Sequence, residues 1–441
     1  MRFISRGLLT AALWLCIGLV PAPVLAGAPS GFAWDQFKGT TLRVLLNENQ
    51  WYGSLLDSIP DFEKLTGIKV VVEATGQIQL WNILEQELPQ PGKVDVFATV
   101  PGLDAIRYHS KGWVQPVNAY LESPRLTARD YQWEDFLPGL RQGMTVRGAI
   151  LGPPVMGEHL ALLYRKDLFQ QQGRSTPRTL KELEDAARGL HGAPMAPKGG
   201  RGVGLVARGQ GAFATAMYGA LLHAMGKSWL DAAGQPTMES PESLAALEML
   251  HNLLVRFGPN DISSFGWQEA TGYFASGQAA MYIESGSVYP LLEQADSSQV
   301  KGRVGYALFP AGPGGNGTTL AARGLAIAKQ SAHPEAAWLF CQWATSPPQV
   351  RTALAKGVLV PRTSVWQDKG ISNKIPPDLA ASFQEAGRIG HPMWAPPLVM
   401  VTAAREAVGE AISAALRGEN IRVAAATAAR RLRELIQETE K

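Results

Sequence analysis

TLRVLL (residues 41–46), IKVVVE (68–73) and VDVFA (94–98) are the stretches on which the fold turns. The first is an unbroken branched-apolar run apart from Arg43, the pattern of a strand buried in a sheet, and the other two repeat it in shorter form. Between them, 54–66 and 79–87 carry apolar residues at helical spacing, with Gly67 as the stop of the first helix. The order β-α-β-α-β predicts an α/β fold: a parallel sheet with helices on its faces, and ligands bound outside the carboxyl ends of the strands.

A second unit of the same class begins near Ala149. Strands are expected at 160–164, 279–283, 304–309 and 325–328. Helices are expected at 179–190, 212–225, 241–257, 269–276 and 334–344, and Thr179 with Glu182 three residues on forms a capping pattern. The glycine-rich stretch 192–204 reads as a loop and PAGPGGNG (310–317) as a turn-rich connection, while the alanine-rich end, 401–438, is helical with a break near Gly418. The expected organisation is two interleaved lobes: a leader at 1–26, first lobe 27–148, second lobe 149–305, a return to the first at 306–345, and second lobe with C-terminal helices at 346–441.

The leader is expected from Arg2 and Arg6 ahead of an apolar run at 7–20 and from the small-residue end Val24-Leu25-Ala26, the order of a cleavable secretory signal. Its run is shorter than the roughly 20 residues that span a bilayer, so an exported soluble product is expected. Of the two cysteines, Cys16 falls in the leader and Cys341 is left alone, which excludes an intramolecular disulfide in the mature chain. With 41 basic and 38 acidic residues the chain has no electrostatic footprint for nucleic acid.

The familiar catalytic and cofactor motifs fail on spacing. Gly202-x-Gly204-x-x-Ala207 follows a loop instead of a strand and lacks the acidic residue that would hold a ribose; Gly226-Lys227-Ser228 lacks the glycine five residues earlier. Cys341 lies in an apolar helical pattern, the setting of an inert thiol, and the seven histidines show no metal-ligand spacing, so neither metal nor cofactor is expected. Glu158 and Glu284 are the acids to watch, since a carboxylate pair for glycoside hydrolysis need only meet in space. Several of the twelve tryptophans adjoin loops, notably Trp51, Trp267 and Trp394, where a flat ring can face the C–H side of a sugar while polar groups answer its hydroxyls.

Four blocks carry a family resemblance: LYRKDLF (163–169), FASGQAAMYIESGS (274–287), GLAIAKQSAHPEAAWLFCQWATS (324–346) and VPRTSV (360–365). In order along the chain they resemble the extracellular solute-binding proteins of ABC-type sugar and polyol importers, the group that includes maltose-binding proteins. The resemblance implies a two-lobed, hinged, type II periplasmic-binding fold and a monomer that captures a small solute and delivers it to a membrane permease from the periplasm, without chemistry. It also implies that VMGEH (155–159) brings Glu158 to the cleft, that Glu284 follows the AM block, that Arg323 stands where tryptophan is frequent, and that Arg362 is the arginine of the C-terminal turn. With these go Trp267 and Trp394 and, at strand ends of the first lobe, Asn49, Trp51, Gln77 and Asp104. Two alternatives stay open: a binder of a non-sugar solute such as a sugar phosphate, organic anion or polyamine, for which uncompensated Arg323 and Arg362 would point to an anion, and a secreted glycoside-acting enzyme.

Overall fold

Branched side chains and leucines hold Thr41–Asn47 extended as β1, and Asn49 then caps the short helix α1 (Gln50–Leu55) by accepting from Tyr52 N–H at 2.9 Å. The computed structural model describes residues 31–195 and 200–439; the expected leader and Cys16 lie outside the described residues. Helix α2 (Ile59–Thr66) ends on Gly67 at φ 68°, the left-handed stop that glycine adopts without strain. Strands β2 (Lys69–Thr75) and β3 (Val96–Thr99) flank β1 in parallel, Thr41 opposite Lys69 and Val44 opposite Val96, with α3 (Gln77–Glu87) crossing between them. β2 lies at the sheet edge, so Val71 is exposed while β1 is almost wholly buried.

The remaining strands of the main sheet are β4 (Val114–Gln115), β5 (Pro154–Arg165), β6 (Val203–Val206), β7 (Ala279–Ser285), β8 (Val304–Leu308) and β9 (Leu320–Ala328). All nine form one sheet, ordered β6-β7-β5-β9-β3-β1-β2, with β8 also on β5 and β4 also on β9. Two long strands tie its halves together. The first half of β5 pairs antiparallel with β9, His159 opposite Leu320, while its second half, from Leu160, pairs with β7 and β8. β9 likewise leaves β5 at Gly324 and continues along β3. A register irregularity at Arg323/Gly324 marks the changeover, a local twist of the kind that re-aims a side chain. The molecule is thus two α/β lobes joined by shared strands.

On these pairings we draw lobe boundaries that differ from the sequence expectation in two places. β8 stays with the second lobe on β5, so the return to the first lobe starts with β9 and not at 306. Helix α9 (Pro347–Ala355; α4–α8 are given below) also belongs to the first lobe, where Lys356 just beyond it bonds Gly53 O and pairs with Asp57 at 3.0 Å.

The second lobe is covered by α4 (Leu180–Leu190), which begins in a capping box of Thr179 and Glu182, by α5 (Thr215–Ala224), by α6 (Pro241–Phe257) and by α7 (Trp267–Ala275). α8 (Pro334–Ala344) is buried on all sides from Ala336 onward, and burial there pushes the Cys341 thiol well up, so it is inert. After α9 come α10 (Pro377–Ile389), α11 (Val401–Leu416) and α12 (Ile421–Thr439), the last two separated at Gly418, φ 75°. The stretch read as a loop to 204 instead enters β6. A Cβ at Gly204 would overlap the carbonyl of Ala187 on α4, so this glycine serves close helix–strand packing and not a nucleotide.

Candidate functional site

The carboxyl ends of β1 and β3 open onto the junction of the lobes, where Asn47, Asn49, Trp51, Gln77 and Arg323 line a cavity with Thr99 and Val100. Asn49 holds its place by capping α1, and its amide reaches Asn47 Oδ1 at 3.4 Å. Trp51 is 3% exposed, with its ring in the cavity wall. Gln77 opens α3, and its Oε1 is buried without a hydrogen-bond partner, an acceptor awaiting a donor. The cavity holds about 10 Å³ of free space, room for about one water and none for a sugar. A solute therefore enters only if the lobes part. A larger groove of about 910 Å³ lies elsewhere, on the outer surface of the second lobe beside exposed Lys166 and Arg178, and contains none of these residues.

Asp104 is fully buried beside this cavity. It accepts from the Thr99 hydroxyl, from Val100 N–H at 3.2 Å and from Trp81 Nε1 at 2.9 Å. Burial pushes its pKa up to about 6 despite those bonds. It braces the loop after β3 instead of offering its oxygens freely. Glu158 on β5 and Arg323 on β9 are diagonal neighbours across the strand pair and form an ion pair at 2.9 Å, which holds Arg323 above its ordinary pKa against the burial that lowers it.

In the second lobe, Arg208 just beyond β6 forks onto Glu284 of β7, with Nε to Oε2 at 2.6 Å. Glu284 is fully buried and also accepts from Ser285 N–H and from Tyr282 O–H. Burial works against the charge of Arg208, but Glu284 more than offsets it. Trp267 opens α7 and is 37% exposed, and its carbonyl accepts from Thr271 Oγ1 at 2.7 Å.

Trp394 is the residue that crosses between the lobes. The preceding carbonyl, Met393 O, accepts from Trp229 Nε1 at 2.8 Å and meets His223 Nε2 at 3.0 Å, while His223 stacks on His391 at 4.2 Å. So anchored to the second lobe, the indole lies on Gly102 of the first, where a Cβ would overlap it. The lobes are closed on each other at this point. The ring centroid also lies 5.3 Å from the Arg405 guanidinium carbon of α11.

Arg362 stands apart from the cleft. It is 0% exposed, donates to the carbonyls of Thr345, Tyr131 and Gln132, pairs with Asp135 at 3.2 Å and lies 4.0 Å from the Phe136 ring centroid. It ties the chain after α9 to the segment before β5 and has no reach to a solute, so it is withdrawn as a binding residue. Arg208, Arg405 and Gly102 went unread in the sequence. Arg208 was findable, as it follows a strand at the ligand-facing end; nothing local marks Arg405 within an alanine-rich helix. Among the described residues no cluster of metal-ligating side chains is present, and no helix is long and apolar enough to cross a membrane.

Two α/β lobes sharing long strands and meeting over a cavity lined by amides, an indole and a guanidinium define a hinged solute-binding protein. The model of the bacterial extracellular solute-binding protein family matches residues 47–351, and the chain belongs to that family. A mannitol-binding protein of Pseudomonas aeruginosa is 30% identical over 315 residues, 69% of this chain and 66% of that protein, just under two thirds of its length. An erythritol/L-threitol-binding protein of Mycolicibacterium smegmatis is 26% identical over 391 residues, 81% and 80% of the two chains. Among solved structures, a solute-binding protein of Agrobacterium vitis with bound D-mannitol matches at TM-score 0.70 and 25% identity, covering 90% of this chain and 99% of that one. Another from Agrobacterium radiobacter in complex with ribitol matches at TM-score 0.75, 24% identity and the same coverage.

Proposed function

We propose that the protein is the extracytoplasmic capture subunit of an ABC importer, that it binds a small polyol or sugar as a monomer between its lobes, and that it hands the solute unchanged to a membrane permease. The observation that carries this is the composition of the cleft: amide side chains of Asn47, Asn49 and Gln77, the Trp51 ring, and Arg323 already neutralised by Glu158. Amides and a paired guanidinium answer hydroxyls, and an indole covers C–H groups. The polyols named for the relatives and bound in the matching structures support the same class. Arg323 and Arg362, the two arginines whose free charge would have signalled an anion, both have carboxylate partners.

Binding is coupled to closure because only a solute touching both lobes favours the closed state. A melting screen of D-mannitol, ribitol, erythritol and maltose tests the class. At about 100 times its dissociation constant a true ligand adds about 2.7 kcal/mol and visibly raises Tm. NMR of the recovered solute must show it intact. No shift from any of them, or turnover of one, removes the proposal.

A further inference from the structure

Arg405 has no answering charge. Arg208 is forked onto Glu284 and Arg323 is paired with Glu158, but among the described residues no carboxylate lies within ion-pair distance of Arg405. One of its N–H groups, at Nη2, donates to Ala212 O at 2.8 Å, and its Nε is buried with no acceptor. The Trp394 ring, which reaches across to Gly102, lies beside it, and it feels the like charge of Arg208. A buried N–H without an acceptor costs free energy, and even a half-buried cation gains from an anion beside it. Burial, with Arg208 adding to it, pulls the guanidinium down to about 10, yet it stays charged at neutral pH.

The placement is built. Gly409, one turn beyond Arg405 on α11, lies so close to Ala212 that a Cβ there would overlap its amide, and this contact brings Arg405 against the Ala212 carbonyl. The Trp394 ring centroid lies 5.3 Å from the guanidinium carbon, within cation–π reach.

We propose that the preferred solute is an acidic polyol, an open-chain sugar acid whose hydroxyls meet the amides of the first lobe and whose carboxylate is taken by Arg405. A carboxylate matches the fork of a guanidinium edge, and one unpaired cation calls for one negative charge, not a phosphate dianion. The inference rests on assigning the cleft to a polyol, and goes beyond it in naming the terminal group.

The test compares D-mannitol with D-mannonate, which differ at one terminal carbon, by titration calorimetry at neutral pH on the whole mature protein. Mannonate is expected to bind at least tenfold tighter than mannitol, with the advantage shrinking at high salt. Arg405→Gln should erase the difference, and Arg405→Lys, which keeps charge but loses the fork, should retain part of it. Equal binding of the two solutes, or a preference for mannonate that survives Arg405→Gln, overturns the acid assignment and leaves the polyol class standing. Silence from both solutes while another polyol of the melting screen raises Tm overturns the acid assignment alone; silence from these two and from every solute of that screen overturns both. The wild-type comparison decides even if a variant does not fold.

Discussion

Gly102→Ala isolates lobe closure from solute contact. The added methyl would sit 2.9 Å from Trp394 Cε2 and 3.2 Å from Cδ1, and closer still to the indole nitrogen, with the two residues on opposite lobes. The glycine is outside the left-handed region, so alanine fits its backbone, and removing the glycine's freedom from the unfolded chain leaves unliganded stability unchanged or slightly raised. The clash exists only when the lobes meet. Overpacking of this kind costs about 1–3 kcal/mol, which translates into affinity about 5- to 150-fold weaker. Calorimetry on wild type, Gly102→Ala, Trp394→Ala and the double variant forms a cycle: in the Trp394→Ala background the added methyl should cost nothing further. X-ray scattering at saturating solute should show Gly102→Ala less compact than wild type. Unchanged affinity for Gly102→Ala, or an equal loss in the Trp394→Ala background, refutes closure through this contact.

Arg362→Met should lower unfolding free energy by about 3–5 kcal/mol, because it leaves Asp135 with its Ser364 hydrogen bonds but no charge partner and the carbonyls of Thr345 and Tyr131 without a donor, while the affinity of the folded fraction is unchanged; selective loss of affinity with a normal melt would return Arg362 to the site. The Asp104 carboxyl holds its proton more tightly folded, at about 6, than at its ordinary 3.8, so the folded chain binds more protons between those values and Asp104 makes stability fall as pH rises through that window, by about 3 kcal/mol in all. Buried His159, held down at about 3, acts in the opposite sense over an overlapping range, so the urea-unfolding difference between wild type and Asp104→Asn from pH 4 to 7 is the measurement, and a flat difference rejects the assignment.

Much of this protein was determined by local pattern. The runs at 41–46, 68–73 and 94–98, the Thr179–Glu182 cap, the stops at Gly67 and Gly418 and the helices Pro241–Phe257 and Pro334–Ala344 follow from periodicity and from the conformations glycine permits, which neighbouring residues alone decide. The four blocks that resemble solute-binding proteins likewise pointed to the family whose model matches the chain. Asn49, Trp51 and Gln77 were legible as site candidates because the ends of parallel strands are where backbone geometry leaves room for a ligand. The rest is contact between residues far apart in sequence, invisible to periodicity. Only tertiary structure gave β8 to the second lobe, withdrew Arg362 into a cage of carbonyls and an aspartate, and set Trp394 on Gly102. It alone decided which arginines have a carboxylate beside them, since charge compensation depends on distances in space and not on order along the chain.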